Sequence, residues 1–118
     1  MAGMQNDQNN ELTVFTVGGT EDALAPVRGR AVRLPTALQT ALAARYPDPV
    51  ARLLGEAMII GSLVARSLKF DGRLVVQCHG TNEGAVSLLM ADCTTDGHVR
   101  GYARFDETAL KSVMLDSR

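Results

Sequence analysis

The run Ala57-Met58-Ile59-Ile60-Gly61-Ser62-Leu63-Val64-Ala65 constrains the fold of this chain more than any other feature. Asp48 as the N-cap and Pro49 as the first helical residue predict a helix that contains this run and continues to Lys69. A helix that is apolar nearly all round needs cover on more than one side. The run is less than half of the roughly 20 residues that a membrane span requires, and Arg66 closes it. We therefore expect a buried helix of a globular domain.

Alternating patterns on either side of this helix predict five strands, at residues 12–16, 27–34, 73–79, 85–91 and 99–105. Gly18-Gly19 ends the first strand, because glycine adopts positive φ without penalty. Short glycine-containing loops connect the last three strands, which favours an antiparallel meander. The register of the fourth strand stays open, because either of two residue sets fits the apolar face. The two sets are Val86, Leu88 and Met90, or Ala85, Leu89 and Ala91.

The predicted fold class is α+β, with helices packed on a mostly antiparallel sheet. Pro35 starts a shorter helix that stops at Tyr46-Pro47, and residues 106–118 are expected to form one or two helical turns. The polar, Asn- and Gln-rich residues 1–10 are predicted to be a disordered leader. Residues 11–118 are then expected to form one domain, since a chain of this length supports one core.

The composition and net charge of the chain limit the classes of partner that it is expected to bind. A hydrophobic fraction of 46% with 4% aromatic residues and no Trp predicts an aliphatic core. The formal net charge of −1 gives no attraction to nucleic acid or to an anionic membrane surface. The arginines of the predicted strands are interpreted as lying on solvent-exposed strand faces: Arg28, Arg30, Arg33, Arg100 and Arg104. The N-terminus carries no apolar signal region, so a cytoplasmic protein with reduced cysteines is expected.

Two segments carry a resemblance to a known family. They are Leu68-Lys69-Phe70-Asp71-Gly72-Arg73-Leu74-Val75-Val76-Gln77 and Val99-Arg100-Gly101-Tyr102-Ala103-Arg104. The chain resembles the N-terminal part of the 33-kDa chaperonin, a redox-regulated holdase, from about Glu11 to its last residue. The family's Cys-x-Cys and Cys-x-x-Cys pairs, which hold zinc in a later segment, have no counterpart up to Arg118. Neither Cys78 nor Cys93 matches a switch cysteine.

The resemblance implies a cytosolic, ATP-independent chaperone that forms a homodimer and captures unfolding proteins under oxidative stress. Zinc release and disulfide formation would be its trigger, and no cofactor is expected in the residues of this chain. The mechanism that these residues allow is burial of apolar client side chains, with no bond made or broken. No enzyme activity is expected.

Within the long helix, Met58, Ile59, Ile60 and Leu63 are the predicted client-binding residues. The competing interpretation is that they are ordinary core, packed on the sheet. Gly101 lies within a strand, where glycine costs stability, and therefore indicates a close backbone approach. Gly61 is the candidate for the opposite half of that contact.

Cysteine chemistry offers a different class of function. Four ligands suit a closed zinc site, and the candidates are Cys78, His79, Cys93 and His98. Adjacent strand residues point to opposite faces, so Cys78 and His79 do not readily serve one metal, and no metal site is expected. Cys78 is interpreted as a small core residue. Cys93 is predicted to lie in a turn, and a thiol enzyme with Cys93 as nucleophile is the alternative function.

Overall fold

A computed structural model describes residues 9–19, 25–43, 46–81 and 83–116. The order of elements is β1 (Glu11–Val17), β2 (Val27–Arg33), α1 (Pro35–Leu42), α2 (Asp48–Ala65), β3 (Arg73–His79), β4 (Val86–Thr94), β5 (Val99–Phe105) and α3 (Glu107–Asp116). Helices and antiparallel sheets occur together, which confirms the α+β class. Residues 1–8 of the predicted leader lie outside the described residues.

The first two strands form a separate hairpin. β1 and β2 pair antiparallel from Glu11↔Arg33 to Val17↔Val27. Gly18 and Gly19 follow β1 with φ of 85° and 78°, which is the conformation that their sequence predicts. The hairpin contacts α2, where the Arg30 guanidinium donates to the main-chain oxygen of Arg66 at 3.0 Å.

The other three strands form an antiparallel sheet in the order β3-β4-β5, which confirms the meander. α2 crosses one face of this sheet. That face carries alternate residues of each strand, paired as Val76↔Ala91 and Ala91↔Gly101. The set on the helix-facing side of β4 is therefore Leu89, Ala91 and Cys93. The strand also runs to Thr94 rather than ending at Ala91, because its apolar alternation continues beyond the predicted boundary.

α2 supplies much of the core. Val50, Leu54, Met58 and Ala65 are fully buried, as is the polar Ser62. The helix begins at Asp48, with Pro47 as N-cap. The Asp48 carboxylate lies in the first turn, where its negative charge interacts favourably with the helix dipole. The helix ends at Ala65, short of the predicted Lys69, because turns bonded to Val64 and Ala65 follow.

The two shorter helices are α1 and α3. α1 packs on β5 and also contacts α2. α1 ends at Leu42, four residues earlier than the Tyr46 stop that the sequence predicts. α3 has ten residues, more than the expected one or two turns. The Asp106 carboxylate caps α3 by accepting the Ala109 N–H at 2.8 Å, and Leu110 anchors the helix in the core.

Candidate functional site

The four residues of α2 that were predicted to bind clients differ in how far their side chains are exposed. Met58 is 0% exposed and packs in the core. Ile59 is partly buried against that core, and Leu63 is also half-buried. Ile60 is 56% exposed. Helical geometry explains the spread, since each step along α2 rotates the side chain by about 100°.

The two glycines do not face each other. A Cβ on Gly101 would lie 2.5 Å from Met58 Sδ, so β5 and α2 approach closely at this point. A Cβ on Gly61 would instead lie 2.7 Å from Cys93 Sγ and 3.4 Å from Val76 Cγ2. The idea that Gly61 forms the opposite half of the Gly101 contact is therefore wrong. Gly61 sits three residues beyond Met58, so it faces β4 and β3 rather than β5.

The exposed side of α2 carries a line of large aliphatic residues. Leu53 is 44% exposed, Ile60 is 56% exposed and Val64 is 44% exposed. Their spacing of seven and then four residues places them on one side of the helix. We call Leu53, Ile60 and Val64 the α2 stripe. Leu53 and Val64 are not among the client-binding residues predicted from the sequence, although their spacing from Ile60 was the available signal.

The α2 stripe lies on the side of the helix towards β3. Met58 contacts β5, and Gly61 contacts Val76 of β3. Moving round the helix from Met58 through Gly61 leads next to Val64 and then to Ile60. The contact with α1 occurs at Gly55, on the other side of the helix, so the α2 stripe is turned away from α1 and towards the β3 side of the sheet.

The predicted environments of the two cysteines are both wrong: Cys93 is buried in a strand and Cys78 is exposed. Cys93 is 0% exposed within β4, where it pairs with Leu74 and Val99 instead of occupying a turn. Burial, with a smaller contribution from the Asp92 carboxylate, raises the pKa of the Cys93 thiol to about 11. Cys78 is exposed near the end of β3 rather than in the core. A nucleophile needs access and a thiolate, so the structure withdraws support from Cys93 as a catalytic residue.

On the sheet face away from α2, Asp92 lies between two arginines. Arg73 Nε donates to Asp92 Oδ1 at 2.7 Å, and Arg100 Nη2 donates to Asp92 Oδ2 at 2.6 Å. The hydrogen bond from Arg73, with support from Arg100, lowers the pKa of Asp92 to about 2. The side chain of Asp92 is only 12% exposed. This cluster ties β3, β4 and β5 together and keeps the carboxylate ionised, so it is not poised as a general acid.

The described residues contain no group of three or more His, Cys, Asp or Glu side chains that could hold a metal ion. His98 Nδ1 lies 3.3 Å from Asp96 Oδ1 in the β4–β5 turn. In the same described part of the chain, no helix combines the length and the apolar character needed to cross a membrane.

Comparison with known proteins places the chain among chaperonins. A sequence model of the family described as Hsp33 protein matches residues 21–117. The 33 kDa chaperonin of Caulobacter vibrioides is 49% identical over 89 residues, which cover 75% of this chain and 29% of the relative. That of Chromobacterium violaceum is 48% identical over 104 residues, covering 87% of this chain and 33% of the relative. That of Pseudomonas savastanoi pv. phaseolicola is 46% identical over 85 residues, covering 71% and 28%.

These comparisons confirm the resemblance drawn from the two sequence segments. The matched region corresponds to the N-terminal part of the relatives. The chain spans about a third or less of the length of these relatives.

Proposed function

This chain belongs to the Hsp33 protein family, and from that premise we propose that it forms the client-capturing part of a holdase chaperone. In this role it binds unfolding proteins through apolar surface, without ATP, and keeps them from aggregating. The α2 stripe is the observation that carries the proposal. A helix that packs one side on a sheet ordinarily turns polar side chains to water, whereas α2 keeps Leu53, Ile60 and Val64 exposed.

The energetics of the α2 stripe suit reversible capture. Burial of one Leu- or Ile-sized side chain contributes about 1.5–3 kcal/mol, so three such groups hold a client without trapping it permanently. Ile59 and Leu63 border the exposed residues and extend the apolar area. Met58 stays in the core while α2 lies on the sheet, so we assign it the role of supporting α2 rather than contacting clients.

The remaining family properties are also proposed for the whole protein: a cytoplasmic homodimer that responds to oxidative stress and is controlled by a redox switch. Zinc binding does not fit the residues described here. Cys93 is sealed under α2, and Cys78 stands on a different strand in an exposed position. No step of client capture by the α2 stripe depends on these two thiols.

Light scattering from a thermally unfolding client protein tests the holdase proposal. We expect the chain, at several-fold molar excess, to suppress the rise in scattering, and the variant Ile60→Lys to lose at least half of that suppression. Lysine places a charge where client side chains must lose water. Gln39→Lys is the matched control, because Gln39 is exposed on α1 and the added charge is the same.

Absence of suppression by the unmodified chain would contradict the proposal. Equal loss of suppression in Ile60→Lys and Gln39→Lys would contradict the assignment to the α2 stripe. Circular dichroism and thermal unfolding of both variants establish that they are folded before scattering is measured.

A further inference from the structure

The backbone of β3 directs half of its hydrogen-bonding groups away from the sheet. At the two ends of the β3–β4 ladder, Gly80 N–H donates to Ser87 O at 2.9 Å and Thr95 N–H donates to Gly72 O at 3.0 Å. In an antiparallel pair, bonded positions alternate along the strand. The even-numbered residues of β3 therefore bond to β4. The N–H and C=O groups of the odd-numbered residues point outward, and these residues are Arg73, Val75, Gln77 and His79.

The two borders of the sheet differ. On β5, the outward N–H of Ala103 donates to the Tyr46 hydroxyl at 3.1 Å, and α1 packs beside the strand. On β3, no strand or helix in the described parts of the chain pairs with the outward groups. The β3 border is thus the place where the sheet can accept another strand. We call it the β3 edge.

The β3 edge also lacks the features that protect natural sheet borders. Proteins commonly block an edge strand with proline, lysine, a bulge or very short length. β3 is seven residues long, with the sequence RLVVQCH. The register shift of this sheet lies between β4 and β5, at Val86 and Leu88, and leaves β3 regular. The one arginine of β3, Arg73, is engaged with Asp92.

Apolar side chains lie on both sides of the β3 edge. On the helix side, Ile60 and Val64 of the α2 stripe lie on the side of α2 that is turned towards β3. On the opposite face, Val75 is 44% exposed. Side chains of an added strand alternate between these two faces, so both of its faces would meet apolar surface.

We propose that the β3 edge captures an extended segment of an unfolded polypeptide as an additional strand. The main chain of the segment bonds to Val75 and Gln77, and its apolar side chains rest on the α2 stripe. An unfolded chain is the occupant that fits, because its unpaired N–H and C=O groups match the edge whatever its sequence. This inference rests on the proposed holdase function and specifies how the main chain of the client is held.

Residue-resolved amide hydrogen exchange tests the inference on the unmodified chain. The probe is an unstructured peptide of alternating valine and serine. At saturating peptide, we expect exchange at Val75 and Gln77 to slow at least about tenfold, because their amides become hydrogen-bonded. Exchange at Leu74 and Val76 should change little, since these amides already bond to β4.

Two substitutions at Gln77 separate the contribution of its main-chain N–H to peptide binding from that of its side chain. Gln77→Pro removes an outward N–H without touching the β4 ladder, and should weaken peptide binding about tenfold. Gln77→Ala keeps the N–H and should bind within about twofold of the unmodified chain, since the exposed Gln77 side chain makes only weak contacts. Unchanged amide exchange in β4 shows that Gln77→Pro is folded.

The inference fails if the peptide binds and suppression of aggregation is intact, yet exchange at Val75 and Gln77 is unchanged. It also fails if these amides become protected on raising the concentration of the chain without peptide, since a second copy is then the occupant. If neither client nor peptide binds, the holdase proposal itself is contradicted, and the two failures are thereby distinguished.

Discussion

The buried position of the Cys93 thiol bears on whether this chain is a binding protein or a thiol enzyme. Cys93 is enclosed by its neighbours on β3 and β5 and by Gly61 of α2. Such a thiol is small, apolar and uncharged at neutral pH, which suits core packing. The sequence did not reveal this role, because the predicted strand ended at Ala91 and left Cys93 in a turn.

We predict that iodoacetamide near neutral pH modifies Cys78 first and leaves Cys93 protected. Cys78 is exposed, whereas Cys93 is buried and its pKa is raised to about 11, so little thiolate forms. Mass spectrometry of timed samples measures both sites, with urea-unfolded chain as the control in which both react. Rapid, stoichiometric modification of Cys93 in the folded chain would instead favour the thiol-enzyme alternative.

Asp92 gives a second prediction at the level of one residue. Its folded-state pKa of about 2 lies below the value of about 3.9 for an unfolded aspartate. The stabilisation is therefore complete above about pH 4 and is lost as the pH falls towards about 2. Asp92→Asn should unfold at lower urea concentration than the unmodified chain at pH 7, with the difference shrinking through this acidic range. A difference that persists undiminished at the acidic end would show that the ion pairs with Arg73 and Arg100 are not its cause.

At the scale of elements, patterns of period two located β3 and β5 with their observed bounds. β3 lies between Gly72 and Gly80, and β5 lies between the turn at Gly97 and Asp106. The register of β4 could not be predicted, because both of its faces are apolar and either set matches the core. The position of the α2 stripe likewise required the structure, since a run that is apolar nearly all round does not indicate which side the sheet covers.

Two glycines in α2 provide a matched test of how the helix packs. A Cβ on Gly61 would lie 2.7 Å from the buried Cys93 Sγ, so Gly61→Ala should destabilise the chain by about 1–3 kcal/mol. A Cβ on Gly55 meets only Leu38 Cδ2, at 3.6 Å. Gly55→Ala should therefore stabilise the chain by roughly 0.5–1 kcal/mol through helix propensity. Urea unfolding measures both, and the same sign for both substitutions would contradict the observed packing of α2.

At the scale of the whole molecule, the described residues expose large apolar side chains on more than one element. The β1–β2 hairpin contributes exposed apolar residues of its own, namely Val14, Phe15, Val17 and Val27. This surface, added to the α2 stripe, is large for an isolated domain and suits a protein that associates with other chains.

The proposed homodimer leads to a prediction about assembly. Sedimentation equilibrium at high micromolar concentration should give the mass of a dimer, and a hydrophobic dye should bind to the remaining exposed surface. Apolar burial between copies supplies the driving force. A monomer that binds no dye would contradict both the dimer and the interpretation of the exposed apolar residues.

Site-specific photocrosslinking tests most directly whether the exposed side of α2 binds unfolding proteins. A benzophenone side chain is introduced at Ile60 and, separately, at the exposed Gln39 of α1. We expect an unfolding client to crosslink from position 60 and not from position 39, and the same client in its native state to crosslink from neither. Equal yields from the two positions, or no crosslink from position 60 while aggregation is still suppressed, would contradict the account.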